Sequence, residues 1–249
     1  MLHIKCQYDL RTMNSVLSKL GRRPLVCLVT DRHRLPESTG DYESRKSIVE
    51  LVRQAGQANI DLVQIRERDL CGHALMELVK NCIDVVRGTS TKIIVNDRLD
   101  VALAAGASGV HLRSDSVQSS RVRAMTPPGF ILGRSVHDLK EADLVARNEG
   151  LDYLILGSVF CSPSTQTGRA PIGVSQLSQT VRSVSLPVLA IGGITLKNVE
   201  MVARTGAAGV AAIGLFSDCL VLAEKSSGDR LKGVVEIIRR SFDSRDPVV

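Results

Sequence analysis

The stretch KIIVNDRLDVALAAGASGVHL, residues 92 to 112, holds a whole strand, helix and strand unit. An apolar β-branched run, KIIV (92 to 95), is followed by a segment with helical spacing (99 to 105) and by a second short run, GVHL (109 to 112). The joint AGASG (105 to 109) puts Gly106 where a helix can end on a left-handed residue before the next strand. Two strands joined by one helix lie parallel, with a right-handed crossover.

Outward from this unit the same alternation repeats. Strand runs are read at 25 to 30, 61 to 65, 92 to 95, 109 to 112, 130 to 135, 152 to 156, 187 to 191 and 209 to 213. Helices are predicted at 43 to 57, 73 to 87, 99 to 105, 117 to 125, 138 to 148, 174 to 183, 196 to 204 and 229 to 241. Ile48, Leu51, Val52 and Ala55 show the three-and-four spacing of one buried helix face. NEGLD (148 to 152) and TGAAG (205 to 209) repeat the glycine joint. Eight such units close into a barrel or, less often, lie open as a doubly wound sheet; the first strand lacks the GxGxxG turn of dinucleotide-binding sheets. The chain has 249 residues, close to the roughly 250 of an eight-stranded α/β barrel. The expected architecture is therefore a single-domain (β/α)8 TIM barrel over residues 25 to 242. An N-terminal extension (1 to 24) with a short helix near 13 to 20 precedes it, and a flexible tail (243 to 249) follows.

Composition narrows the function. Aromatic residues are 3% of the chain and Trp is absent, so Val, Ile, Leu and Ala must pack the core. The net charge of +6 raises nucleic acid as a partner, but four Phe and three Tyr supply no platform for stacked bases. An anionic small molecule satisfies the same charge, and no nucleic-acid partner is expected. The six cysteines (Cys6, Cys27, Cys71, Cys82, Cys161, Cys219) form no CxxC pair, which reads as reduced thiols rather than a zinc or redox site. No apolar run reaches membrane-spanning length and no signal core opens the chain, so a cytoplasmic protein without a membrane partner is expected. The oligomeric state stays open, a homo-oligomer being one of the outcomes.

In a parallel barrel the chemistry sits where strands end. After the second strand, VQIRERD brings Gln64, Arg66 and Arg68; alternation places Gln64 and Arg66 on one face, where a buried guanidinium needs an anion, either a ligand or an internal salt bridge with Glu67 or a neighbouring strand. After the third, Asn96 and Asp97 can hold a hard cation or orient a polar ligand, or Asp97 can cap the next helix. His111 closes the fourth strand and reads more readily as a structural group than as a catalyst. GRSVHD brings Arg134, Ser135 and His137 to the fifth; His137 suits a proton shuttle near neutral pH, or a helix-start bond to Asp138 or backbone. The loop GSVFCSPSTQTGRAPIG (157 to 173) is long and polar enough to act as a lid. Gly192 and Gly193 after the seventh strand, with Ile213 and Gly214 after the eighth, expose backbone N–H groups in the order of a barrel phosphate site.

Taken together, VQIRER, VNDRLDVALAAGASGVHL, LGRSVHD, DYLILGSVF and LAIGGIT resemble the thiamin phosphate synthase and thiazole tautomerase (TenI) family over about residues 25 to 220. The resemblance implies a place in thiamin biosynthesis and one of two activities. The synthase couples hydroxymethylpyrimidine diphosphate to a thiazole phosphate with magnesium, releasing diphosphate. The tautomerase aromatises a carboxythiazole phosphate and needs no metal.

Departures from the synthase pattern fall at three places. Arg68 stands for the lysine of QxREK, and Ser116 for the second metal carboxylate, with Asp115 one residue early. The lid stretch Ser162, Pro163, Ser164, Thr165 lacks the lysine of TPTK. GRSVH (133 to 137) is similar to the tautomerase, and Arg134 would pair the substrate carboxylate. Asn96 and Asp97 are kept as in the synthase. The first expectation is the tautomerase, without cofactor, acting on a small phosphorylated thiazole. Its residues would be His137 as proton shuttle, with Gln64, Arg66, Arg68, Asn96, Arg134, Ser135, Ser162 and Ser164 holding substrate and Gly192, Gly193, Ile213 and Gly214 the phosphate. The alternative is the synthase, with magnesium on Asp97 and Asp115 and diphosphate on Ser135; a further alternative is a non-catalytic regulator that binds thiazole phosphate.

Overall fold

Each β-branched run is buried on both faces, which is the environment of a parallel strand covered by helices. The computed structural model describes residue 20 and residues 24 to 35, 41 to 147, 150 to 161, 170 to 221 and 227 to 243. In chain order the elements are β1 (Leu25–Val29), a 3-10 turn (Arg32–Arg34), α1 (Asp41–Gln57), β2 (Leu62–Ile65), α2 (Gly72–Val85), β3 (Lys92–Asn96) and α3 (Leu99–Ala105). There follow β4 (Gly109–Leu112), α4 (Ser119–Ala124), β5 (Ile131–Val136), α5 (Leu139–Ala146), β6 (Tyr153–Gly157) and α6 (Gly173–Ser183). The chain continues through β7 (Val188–Ile191), α7 (Val199–Ala203), β8 (Gly209–Ala212), α8 (Gly214–Val221) and α9 (Ser227–Asp243). The eight strands close in sequence order, with Leu25 of β1 paired to Gly209 of β8. The fold is a (β/α)8 barrel.

Period-two alternation sorts every strand into an inner and an outer set. Leu25, Cys27, Leu62, Ile94, Ile131, Tyr153, Ile155, Leu189 and Ala211 pack together inside the barrel. Val26, Leu28, Val63, Ile93, Val95, Leu132, Leu154 and Val210 pack outside, against the helices. Leu20 is fully buried with the inner set. The remainder of the expected helix near 13 to 20 lies outside the described residues, as do 244 to 249.

The N-terminal rim is tied by a repeated device. Asp61, just before β2, accepts from the Val26 amide of β1 at 2.8 Å and from Arg239 of α9 at 3.1 Å. Asp152, just before β6, accepts from the Leu132 amide of β5 and from Arg123 of α4, both at 2.7 Å. Four strands apart, the same acid fixes the preceding strand's start and fastens a helix to it. The predicted helix at 99 to 105 ends as expected: Gly106 adopts φ +72° and its amide reaches the carbonyls of Ala102 and Leu103. One helix was not foreseen, α8, because its apolar sequence runs on from β8 without a polar break to reveal a change of period.

Candidate active site

The strand ends that carry Gln64, Asn96, His111 and Ser135 bring these side chains into the barrel's upper interior, since each shares the parity of the inner set. Gln64 is buried and its Nε2 donates to Asn96 Oδ1 at 2.9 Å. That bond leaves Gln64 an acceptor and Asn96 a donor for a heterocycle. His111 Nδ1 lies 3.1 Å from the Tyr153 hydroxyl and its Nε2 2.8 Å from Ser135 Oγ. Burial first, and then Arg134, push the His111 pKa down to about 3, so the ring is neutral.

Arg66 and Glu67 separate. Glu67 accepts from Thr30 Oγ1 at 2.6 Å and from Arg32, which also binds Asp69 at 2.6 Å, so the acid is spent on the loop after β1. Burial raises the Glu67 pKa, opposed by those bonds. Arg66 is half-buried, and no acceptor for its guanidinium lies among the described residues. Burial lowers its pKa and Arg68 adds to this, against the opposing charges of Asp31 and Glu67. Of the two sequence readings, the internal salt bridge, with Glu67 or a neighbouring strand, is not formed among the described residues.

Asp97 is not a helix cap. Arg98 holds that position of α3, while Asp97, at φ +61°, accepts a hydrogen bond from Ser116 Oγ. Asp115 instead turns to Arg113 at 2.6 Å on the exposed surface. The expected pairing of Asp97 with Asp115 is therefore corrected: the side chain that meets Asp97 is Ser116. Among the described residues no three His, Cys, Asp or Glu side chains form a metal cluster. Arg68, Asn96, Asp97 and Arg113 line a cavity of about 150 Å³ beside these residues.

Arg134 also departs from expectation. It shares the parity of Leu132 and Val136, which pack on the outer face of β5, and it is buried there. Its guanidinium donates to the carbonyls of Ser114, Ser116 and Val117 at 2.8 to 2.9 Å. It holds the loop between β4 and α4, so its fork is not available to a substrate carboxylate. His137 lies at the end of β5 with its Nδ1 donating to the Gly157 carbonyl at 2.9 Å, which leaves Nε2 as the basic nitrogen. Its amide donates to Glu141, while Asp138 caps α5. Ser162, Ser164 and Thr165 lie outside the described residues.

Two strands further round the barrel, Gly192 (φ +97°) and Gly193 (φ +63°) turn the chain after β7. A Cβ on Gly193 would stand 2.4 Å from the Cys161 carbonyl, so the turn admits no side chain. Ile213 precedes α8 and its carbonyl takes the amides of Phe216 and Ser217. The amides of Gly214 and Leu215, in the first turn, have no helical partner. These groups border a cavity of about 480 Å³ that also receives Arg34, Asp218 and Arg230. Sequence reasoning missed Arg34 and Arg230. Arg34 follows the polar corner of β1, whose register was legible, but Arg230 is brought there at the start of α9 by tertiary packing.

A closed parallel barrel with polar inward residues at its strand ends and two arginine-bearing cavities beside them has the architecture of a barrel enzyme. The family model of thiamine monophosphate synthase matches residues 26 to 216, and the chain belongs to that family. It is 37% identical over 191 residues to a thiamine-phosphate synthase of Roseiflexus castenholzii, covering 77% of this chain and 80% of that one. It is 35% identical over 195 residues to a thiamine-phosphate synthase of Chlorobium phaeovibrioides, covering 78% and 87% of the two chains. The solved structure of thiamine phosphate pyrophosphorylase from Pyrococcus furiosus superposes with a TM-score of 0.69 at 33% identity, over 88% of this chain and 97% of that one. The chain is thus an enzyme of a thiamine-biosynthesis family, and these relatives bear the synthase's name, the alternative of the sequence reading rather than its first choice. Among the described residues no helix is long and apolar enough to cross a membrane.

Proposed function

We propose that the chain is a thiamin phosphate synthase, joining hydroxymethylpyrimidine diphosphate to a thiazole phosphate with release of diphosphate. The observation that carries this reading is that two arginine-bearing cavities lie at the strand ends, one after β2 and β3 with Arg68 and Arg113, the other after β7 and β8 with Arg34 and Arg230. Two phosphorylated substrates need two anion sites, whereas an isomerisation needs one phosphate site and a carboxylate partner, and Arg134 is committed elsewhere.

In this reading the Gly192 to Gly193 turn and the first turn of α8 take the thiazole phosphate, with Arg34 and Arg230 adding charge. Arg66, Arg68 and Ser135 take the diphosphate, and Gln64 with Asn96 orients the pyrimidine. The donor set fits magnesium, which is commonly held by one or two carboxylates together with substrate phosphate oxygens: Asp97 and the Ser116 hydroxyl would hold it beside the diphosphate. When bound, magnesium supplies charge neutralisation to a leaving group that departs with its bonding electron pair. The chain's own contribution is to hold the two reactants in line and to exclude water, so that a bimolecular displacement proceeds as an intramolecular one.

The tautomerase remains a second reading because of Ser116, which stands where the synthase pattern has its second carboxylate, and because the His137 ring is fixed with Nε2 as base. Incubation of the full chain with both synthase substrates, with and without magnesium, should give magnesium-dependent thiamin phosphate detectable by chromatography. Absence of that product, together with isomerisation of carboxythiazole phosphate, would establish the second reading instead.

A further inference from the structure

We propose that the buried pair Tyr153 and His111 orients Ser135 so that its hydroxyl hydrogen is free to donate to an anionic oxygen at the barrel mouth. The inference rests on the reading that a phosphorylated substrate occupies that mouth. Tyr153 of β6 crosses the barrel interior and is completely buried; its ring fits because β5 has Gly133 beside it, where a Cβ would lie 2.2 Å from Tyr153 Cζ. Among the described residues the hydroxyl has one hydrogen-bond partner, His111 Nδ1 at 3.1 Å.

That single contact fixes the direction of the whole chain. A buried hydroxyl hydrogen that finds no acceptor suffers the full desolvation penalty, so Tyr153 donates and His111 Nδ1 accepts. The neutral imidazole then carries its proton on Nε2, which donates to Ser135 Oγ at 2.8 Å. Ser135 accepts with one lone pair, and its own hydrogen is left to point elsewhere. No other partner for Ser135 lies among the described residues, and the residue is half-buried at the top of β5. The reverse arrangement, with Ser135 donating to His111, strands the tyrosine hydrogen in an apolar interior lined by Cys27, Ile131 and Ile155. With its hydrogen uncommitted, the Ser135 hydroxyl is set to donate to an oxygen acceptor such as a phosphate or diphosphate oxygen.

Long-range proton-nitrogen correlation spectra of the ¹⁵N-histidine-labelled full chain read the tautomer directly, with His111→Gln identifying the signal. The expected result is the Nε2–H form at neutral pH, replaced by a mixture of both forms in Tyr153→Phe. Calorimetry with inorganic pyrophosphate should show affinity about tenfold weaker in Ser135→Ala and in Tyr153→Phe, the size of one hydrogen bond to an anion. The double variant should lose no more than Ser135→Ala alone, because the tyrosine acts through the serine. An Nδ1–H form in the unmodified chain, or pyrophosphate affinity unchanged in Ser135→Ala, overturns the proposal. Failure of the synthase assay with the Nε2–H form and the pyrophosphate result both in place would fault the proposed reaction and leave this positioning role standing.

Discussion

At the residue scale the structure separates side chains that the sequence grouped together. Arg66 and Arg134 both look like cations at a barrel mouth, yet one faces inward with no acceptor for its guanidinium among the described residues and the other is locked behind β5. The difference is parity. Arg66 falls in step with Gln64, and Arg134 with Leu132 and Val136, so alternation applied to FILGRS as it was to DLVQI would have placed Arg134 outside. Replacing Arg134 leaves three loop carbonyls without their donors in a buried site. Arg134→Met should destabilise the chain by about 3 kcal/mol or more, read as a lowered midpoint in urea. A loss below about 1 kcal/mol would mean that the arginine is held for another purpose. Ser116 shows the converse limit. Its position in the sequence marked a missing carboxylate, but that its hydroxyl bonds Asp97 depends on how the β4 to α4 loop is folded, and Arg134 folds it.

The strands and most helices were legible at the element scale because their periods differ and glycine marks the joints, as at Gly106. Ends were less so: α7 runs from Val199 to Ala203, inside the expected 196 to 204, where polar flanking residues satisfy turns rather than helical bonds. What no local pattern reveals is the fastening of elements across the N-terminal rim. Arg239 reaches the carbonyls of Pro24 and Asn59 as well as Asp61, bridging α9 to the two strands at the start of the chain. Both members of the Arg239 to Asp61 pair are buried. Arg239→Ala should therefore cost about 3 to 5 kcal/mol, since it removes one partner of a buried ion pair and the donor to two strand-start carbonyls. Thermal unfolding followed by circular dichroism reads this directly; an unchanged transition would show that α9 is held by its apolar face alone.

Across the whole molecule, closure of eight strands sets residues far apart in sequence around one mouth and one interior. The interior has a consequence for acid stability. Folded, the chain keeps His111 neutral down to about pH 3; unfolded, the same imidazole takes a proton near its ordinary value of about 6.5. Between those limits the unfolded state binds more protons, so stability falls as pH falls, by about 1.4 kcal/mol per pH unit from this one group. Urea titrations from pH 7 to pH 4 should show a shallower decline for His111→Gln than for the unmodified chain, and parallel declines would contradict a buried neutral ring. The sequence by itself determined the barrel, its strand order and the glycine turns after β7 and β8, because periodicity and backbone permissiveness are local properties written residue by residue. Only the tertiary structure decided that Arg134 stands outside, that Ser116 rather than Asp115 meets Asp97, and that Arg34 and Arg230 border the phosphate cradle. Those facts depend on which side chains barrel closure brings within about 3 to 4 Å, the range over which hydrogen bonds and ion pairs act, and local sequence carries no record of that distance.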